Sequence, residues 1–183
     1  IDGTKGDLTL SAAYANATRD LRIDLNLDEG SGGLVSTIIN LPGAPSVNLR
    51  ITGDAPLSDF TAQIALATDD KPRLTGQVRL RDDIDTTVEI TDPDAPAPTR
   101  QRVEAFLDGD IRALFTPDLH PFFGAQSGLG VQAILYPDGR KDITYLDLQT
   151  EQMSITGSLS IGAAGLPSAF DLRADINADE PVR

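Results

Sequence analysis

An alternation of apolar and polar residues with a period of two dominates this sequence. Leu8, Leu10, Ala12 and Tyr14 occupy every second position of the first segment, and residues 21–27 repeat the pattern. Successive side chains of a β-strand point to opposite faces, so this alternation predicts strands with one apolar and one polar face. About eleven segments share it: 8–14, 21–27, 47–51, 60–66, 74–80, 86–91, 103–107, 129–135, 143–148, 153–161 and 170–176.

The connections between these segments predict an antiparallel meander. Asp54–Pro56, Asp69–Pro72 and Pro137–Arg140 carry the Asp, Pro and Gly residues that are typical of tight turns between neighbouring strands. Two longer connections, near 33–41 and 111–123, have the apolar spacing of short helical turns. Because such short helices are unstable alone, we expect each to dock an apolar face on the sheet.

The order of these segments suggests an internal repeat. We interpret residues 1–183 as a single β-rich fragment of a larger protein, with repeat halves at about 19–81 and 101–161. In each half a strand is followed by helical turns and three more strands, the last of which contains a Thr-Gly pair. The Pro-rich segment 92–98 is predicted to be a loop between the halves.

Composition excludes several classes of protein. The net charge of -13 opposes binding to nucleic acid, for which Lys and Arg supply the main attraction. The absence of Cys excludes disulfide frameworks and thiolate zinc sites. No uninterrupted apolar run approaches the ~20 residues of a membrane-spanning helix.

A flat sheet of about eleven strands is unusual, because open twisted sheets curl, split or close beyond ~10 strands. The alternatives are a barrel, a sandwich and a curved gutter. Aromatic residues make up only 5% of the chain and Trp is absent, which disfavours the thick aromatic core of a sandwich. Gly76, Gly109, Gly130 and Gly157 interrupt runs that we expect on the apolar face, where they favour strong curvature. The predicted fold is therefore all-β: a long, curved, mostly antiparallel sheet.

Motifs that carry chemistry are weak in this chain. Gly128–Ala133 matches a dinucleotide-binding pattern but lies inside an alternating strand, without the helix that binds the phosphates. His120 is the only histidine and lies among apolar neighbours, so we expect it to pack rather than to act as a base. Three acidic pairs lack the spacing of a calcium loop: Asp83/Asp85, Asp92/Asp94 and Asp108/Asp110. We expect no enzymatic activity, cofactor or metal.

Several segments resemble a known family. Residues 49–60 (LRITGDAPLSDF) and 64–78 (IALATDDKPRLTGQV), together with Gly109–Ile111 and Phe122–Gly124, resemble the TamB family, the inner-membrane-anchored subunits of the bacterial translocation and assembly module. That family belongs to the wider AsmA-like group. The resemblance extends from about Leu21 to Ile176.

The resemblance implies a β-taco, a curved sheet with a hydrophobic groove, in the periplasmic portion of an inner-membrane-anchored protein of a Gram-negative bacterium. It implies phospholipid or another acyl-chain ligand, an outer-membrane insertase-family (TamA-like) partner, and contacts with adjacent segments of the same chain. The implied function is passage of phospholipid between the inner and outer membranes. A second implied function is a scaffold or chaperone for the assembly of outer-membrane proteins such as autotransporters, by pairing along strand edges.

The candidate groove residues are the apolar members of the alternating segments. They are Leu49, Ile51, Ile64, Leu66, Leu74, Val78, Leu80, Leu129, Val131, Ile155, Leu159, Ile161, Phe170 and Leu172. The competing interpretation is a dry core closed by a second sheet, since apolar burial favours protein side chains and lipid tails alike. A carbohydrate-binding sandwich would instead need aromatic side chains on the polar face.

Overall fold

The computed structural model describes residues 6–85 and 99–177. These residues form one ten-stranded antiparallel sheet, in which each strand pairs with the strands next to it in sequence. The strands are β1 (Gly6–Ala15), β2 (Asp20–Glu29), β3 (Val47–Pro56), β4 (Asp59–Thr68), β5 (Lys71–Ile84), β6 (Thr99–Gly109), β7 (Ser127–Leu135), β8 (Lys141–Gln149), β9 (Met153–Ile161) and β10 (Pro167–Ile176).

The sheet is curved and does not close, because β1 pairs only with β2 and β10 only with β9 among the described residues. The predicted all-β fold and meander order are thus confirmed. A second sheet, which the dry-core interpretation requires, does not occur in residues 6–85 and 99–177. The weak strand at 86–91 and the Pro-rich segment 92–98 lie outside the described residues.

In the described part of the chain, helical structure is confined to the two predicted connections. The first contains α1 (Leu34–Ile38), and the second contains 3-10 turns at Arg112–Leu114 and Pro117–Leu119 followed by α2 (His120–Phe123). Across the described residues, no helix is long and apolar enough to cross a membrane. The same order of elements recurs in β2–β5 and β6–β9, while the division of the chain into repeat halves stays a prediction.

The strand register gathers the apolar residues on one face. Residues directly opposite each other in an antiparallel pair share a face. Leu25 opposes Ile51, which opposes Ile64, and a similar row crosses the second half of the sheet. We call this surface the apolar face and the opposite one the polar face.

Two glycines allow unusually close approach between strands. Gly76 in β5 and Gly157 in β9 both have positive φ, at 159° and 148°. A Cβ at Gly76 would overlap the carbonyl oxygen of Phe106, and a Cβ at Gly157 would overlap that of Asp171. The Thr-Gly pairs that suggested the repeat therefore mark equivalent close contacts with the next strand.

The placement predicted for Gly130 is wrong. It opposes Phe106 on one side and Asp147 on the other, and therefore lies on the polar face. A Cβ at this position would lie 3.1 Å from the ring of Tyr145 and 3.6 Å from that of Phe106. The glycine makes room for two aromatic rings rather than bending the apolar face.

Candidate functional site

All fourteen candidate groove residues lie on the apolar face. They come from β3, β4, β5, β7, β9 and β10, and cross-strand pairs such as Leu66 with Leu74 and Leu159 with Phe170 join them. The register brings the two halves together as well, since Val78 opposes Ala105, which opposes Val131. The candidates thus form one surface that runs across the sheet.

The surface is broader than the predicted set. Leu21, Ile23 and Leu25 of β2 lie on it, as do Val103, Ala105 and Leu107 of β6 and Leu146 and Leu148 of β8. Alternation in the sequence identifies these positions too. In β8 a bulge changes the phase, so Ile143 and Leu146 share the apolar face while Tyr145 turns to the polar face opposite Gln132. Unbroken alternation over residues 143–148 would place Tyr145 on the same face as Ile143, and the bulge moves it to the other face.

Most of this surface remains partly accessible. Twelve of the fourteen candidates are half-buried, and the other two, Phe170 and Leu172 on the outermost strand, are 74% and 49% exposed. Among the described residues, the buried hydrophobic side chains are only Leu27, Leu41, Val47, Phe60 and Ala62. Contacts within a single curved sheet shield these side chains incompletely, and residues 6–85 and 99–177 place no second layer over most of the face.

One end of the apolar face is covered. The two helical connections leave the sheet at the same end, after β2 and after β6. Leu41, from the first connection, forms a buried cluster with Leu27 and Val47, and Leu114 of the second connection packs against that cluster. Val35, Leu49 and Leu66 also pack there. We call the two connections, residues 30–46 and 110–126, the end cap.

Hydrogen bonds hold the end cap in place. The buried carboxylate of Glu29, at the end of β2, accepts hydrogen bonds from the backbone N–H groups of Val35 and Ser36 at 2.9 and 3.2 Å. A Cβ on Gly33 would overlap the Glu29 side chain, so glycine permits this approach. The second connection is held from outside, since the hydroxyl of Thr150, between β8 and β9, donates to the carbonyl of Phe122 at 2.9 Å.

Only part of the first helical connection docks as the sequence predicts. Val35 and Leu41 pack on the cluster, but Leu34, Ile38 and Ile39 are exposed. The helix is one turn long and sits at the end of the strands, so it presents just one side to the sheet.

Ion pairs between neighbouring strands cover the polar face. Arg79 and Asp59 form a bidentate pair at 2.8 and 3.0 Å, and Arg81 donates to Glu104 at 3.0 Å. Arg102 donates to Asp83 at 3.0 Å, which lowers the pKa of that carboxyl below its usual value. Each exposed pair contributes little to stability, but together they keep this face charged and wet.

Arg112, in the end cap, lowers the pKa of Asp110 to about 2, chiefly through its side-chain hydrogen bonds at 2.6 and 2.8 Å. Because this pKa lies below the unfolded value near 3.8, the pair stabilises the fold above about pH 4, and the effect is lost as the pH falls toward 2.

We expect the free energy of unfolding of the wild type to fall by about 1 kcal/mol more than that of Asp110→Asn between pH 5 and pH 2. Urea titrations at several pH values measure this difference. Arg112→Gln should show the same reduced dependence, and parallel pH profiles for all three proteins would contradict the assignment.

The other residues with a possible chemical role, His120 and the Gly128–Ala133 pattern, lie where their contacts explain them structurally. His120 Nε2 lies 3.1 Å from the carbonyl oxygen of Phe115, beside stacked Phe115 and Phe123 rings. The Gly128–Ala133 pattern lies within β7, which continues as a strand. Over residues 6–85 and 99–177, no group of three or more His, Cys, Asp or Glu side chains is arranged to hold a metal ion. Asp92 and Asp94 lie outside the described residues.

Comparison of the chain with models of known protein families, with curated proteins and with solved structures found no match.

Proposed function

We propose that this chain is a conduit segment that shelters phospholipid acyl chains on the apolar face. The observation that carries the proposal is a continuous aliphatic surface across ten strands, mostly uncovered among the described residues, on a chain of net charge -13. Large exposed apolar patches of this kind mark binding surfaces in soluble proteins. A curved sheet, in turn, offers such a surface as a groove.

The chemistry of the surface suits acyl chains. In the middle of the strands, its side chains are almost entirely Leu, Ile, Val and Ala, which offer no hydrogen bond or charge that would fix one ligand in one position. Burial of an acyl chain yields about 0.8 kcal/mol per methylene group, wherever along the surface the chain lies. A ligand held this way slides from row to row with small changes in free energy, while its head group stays in water.

The end cap limits where the lipid binds. Leu49 and Leu66 already pack against the buried cluster that includes Leu41 of the cap, so the cap competes with lipid for them. Residues nearer the middle of their strands, such as Ile64, Val78 and Val131, lie outside this contact. We therefore place the acyl chains over the middle of the strands rather than at the capped end.

The wider setting is part of the same proposal. A conduit of this type, as in TamB-like proteins, would lie in the periplasm of a Gram-negative bacterium, as part of an inner-membrane-anchored protein. Adjacent segments of the same protein would continue the groove, and an insertase-family partner would receive it at the outer membrane. The resemblance of residues 49–60 and 64–78 supports this setting.

Photocrosslinking tests the proposal directly. The purified chain is incubated with liposomes of phosphatidylethanolamine that carry a photoactivatable group on one acyl chain, and crosslinked residues are mapped by mass spectrometry. We expect crosslinks at Ile64, Val78, Val131 and Leu159, and at least tenfold fewer on the polar face. Absent crosslinks, or equal labelling of both faces, would contradict it.

Among residues 6–85 and 99–177, the outer edges of β1 and β10 have no partner strand, which favours a second candidate function. A scaffold for outer-membrane proteins would bind an unfolded client strand along β1 or β10, using backbone hydrogen bonds. That function predicts crosslinks from edge residues such as Leu10 or Leu172 to a client β-strand, and none from the middle of the apolar face to lipid.

A further inference from the structure

Residues 32–44 of the end cap form a loop that is closed on itself, which we call the cap loop. The N–H group of Gly32 donates to the carbonyl oxygen of Ala44 at 2.7 Å, so the two ends of the loop lie side by side. Within it, the N–H group of Leu41 donates to the carbonyl oxygen of Ser36 at 2.8 Å, and Ser36 is completely buried. Compact surface loops with adjoining ends are frequently functional. The cap loop therefore has an internal structure that it can keep when it moves.

Both ends of the cap loop favour rotation. Gly32 and Gly43 have positive φ, at 73° and 74°, and residues 30–33 include three glycines. A Cβ at Gly43 would have no atom within 4 Å, so this end has room to move. Hinges are short segments that absorb changes in backbone angles, and glycine adopts a wide range of these angles. The cap loop can therefore turn about its ends while the sheet keeps its shape.

A small contact attaches the cap loop to the sheet. Leu41 lies in the buried cluster over β2 and β3, and Val35 packs against that cluster. The carboxylate of Glu29 accepts hydrogen bonds from the N–H groups of Val35 and Ser36. Three other apolar side chains of the loop are 58–71% exposed: Leu34, Ile38 and Ile39. Because closure leaves these three in water, the closed position gains less from apolar burial than the composition of the loop would allow.

The surface beneath the cap loop has the same chemistry as the rest of the apolar face. Leu27, Leu49 and Leu66 oppose one another across β2, β3 and β4, in the apolar row next to that of Ile64. An acyl chain in place of Leu41 would cover the same aliphatic side chains, so exchanging one apolar partner for the other changes the free energy little. A ligand shifts the equilibrium between two conformations by its difference in affinity for them. An acyl chain that extends over this row therefore favours displacement of the loop.

We propose that the cap loop is a lid for the apolar face. It turns about its two glycine-containing ends, with Glu29 as its latch, and uncovers Leu27, Leu49 and Leu66 for acyl chains. The closed lid confines acyl chains to the middle of the strands, and the open lid adds the row beneath it. The part played by acyl chains rests on the proposed function, whereas the movement of the loop is testable without lipid.

Thiol labelling measures the opening without lipid. The chain has no native cysteine, so Val47→Cys places a single thiol in the cluster beneath the cap loop, and Ala62→Cys places one at a buried position outside that cluster. Labelling rates with a soluble maleimide are divided by those of the same variants unfolded in urea, which removes differences in thiol reactivity. We expect Val47→Cys to react at least tenfold faster than Ala62→Cys, because the lid opens while the sheet stays folded. Labelling of Val47→Cys no faster than that of Ala62→Cys would refute the lid.

The same assay tests the latch. Glu29→Gln keeps the size of the side chain but removes its charge and one of its two acceptor oxygens. We expect it to speed the labelling of Val47→Cys at least fivefold and to leave that of Ala62→Cys unchanged. Asp28→Asn, at the neighbouring exposed position on the polar face, should alter neither rate. Equal acceleration of both thiols by Glu29→Gln would indicate general destabilisation and contradict the latch.

A disulfide at the latch tests control over the apolar face. A Cβ at Gly33 would overlap the side chain of Glu29, so the cysteines of Glu29→Cys/Gly33→Cys lie within reach of a disulfide. Oxidation locks the lid, and reduction of the same protein leaves it without a latch. With the photoactivatable phospholipid, the reduced form should give at least fivefold more crosslinks at Leu49 and Leu66 than the oxidised form, with equal crosslinking at Val131. Equal crosslinking at Leu49 and Leu66 in both forms would refute the lid, whereas no crosslinks at any position would refute the conduit and leave the lid to the labelling rates.

Discussion

Ile64→Arg is expected to lower the affinity of the chain for phospholipid at least tenfold while the sheet stays folded. Ile64 lies in β4 on the apolar face, opposite Ile51 and Gly76, and is only half-buried. An arginine in a hydrocarbon environment costs about 2.5–3.5 kcal/mol, which corresponds to roughly 100-fold in affinity before the side chain bends toward water. Binding of a fluorescent phospholipid, titrated from liposomes, measures the loss.

The matched control is Gln63→Arg, one residue earlier in the same strand. Gln63 is exposed on the polar face, so the same charge is added to the same strand on the side that we expect to be free of lipid. Its phospholipid affinity should equal that of the wild type. Leu159→Arg extends the test to the second half of the sheet. Equal affinities for Ile64→Arg, Gln63→Arg and wild type, with unchanged circular dichroism, would eliminate the apolar face as the lipid-binding surface.

Period-two alternation predicts the faces well, because the side-chain periodicity of a strand is local and needs no knowledge of its partner. Short Asp- and Pro-containing connections also predict the meander, since they leave no room for a crossover. One error occurs where the local rule is interrupted, since the bulge in β8 places Tyr145 on the polar face. The other is at Gly130, where the alternation is unbroken and itself puts the glycine in phase with Gln132, on the polar face.

The end cap shows what alternation cannot predict. The sequence indicates two helical connections, but their meeting over Leu27 depends on how strongly the sheet curves between β3 and β6. Curvature is a property of the assembled sheet, which bulges and close strand contacts determine together. Alternation cannot predict the burial of Glu29 either. This residue occupies an apolar-face position opposite Val47, and only the folded cap supplies the N–H groups that bind its carboxylate.

Gly157→Ala is expected to destabilise the fold by about 3 kcal/mol, which corresponds to about 6–12 °C in Tm for a chain of this size. The added Cβ would overlap the carbonyl oxygen of Asp171, and backbone with φ of 148° is strained for any residue other than glycine. Relief of the overlap requires β10 to move away from β9, because the obstructing atom belongs to the backbone and has no rotamer to change. Thermal unfolding followed by circular dichroism measures the effect.

Gly128→Ala is the control for the strand overlap. It adds the same methyl group to a strand glycine that has no atom near its Cβ position and no positive φ. Alanine restricts the unfolded chain more than glycine does, so this variant should be more stable than the wild type by about 0.5 kcal/mol. Gly76→Ala, at the equivalent position in β5, should behave like Gly157→Ala, since its Cβ would overlap the carbonyl oxygen of Phe106. The opposite signs at Gly128 and Gly157 separate close strand approach from a general intolerance of side chains in this sheet. If Gly157→Ala proved as stable as Gly128→Ala, β9 and β10 would have to lie further apart than they do here, and the sheet would be less tightly curved at this edge.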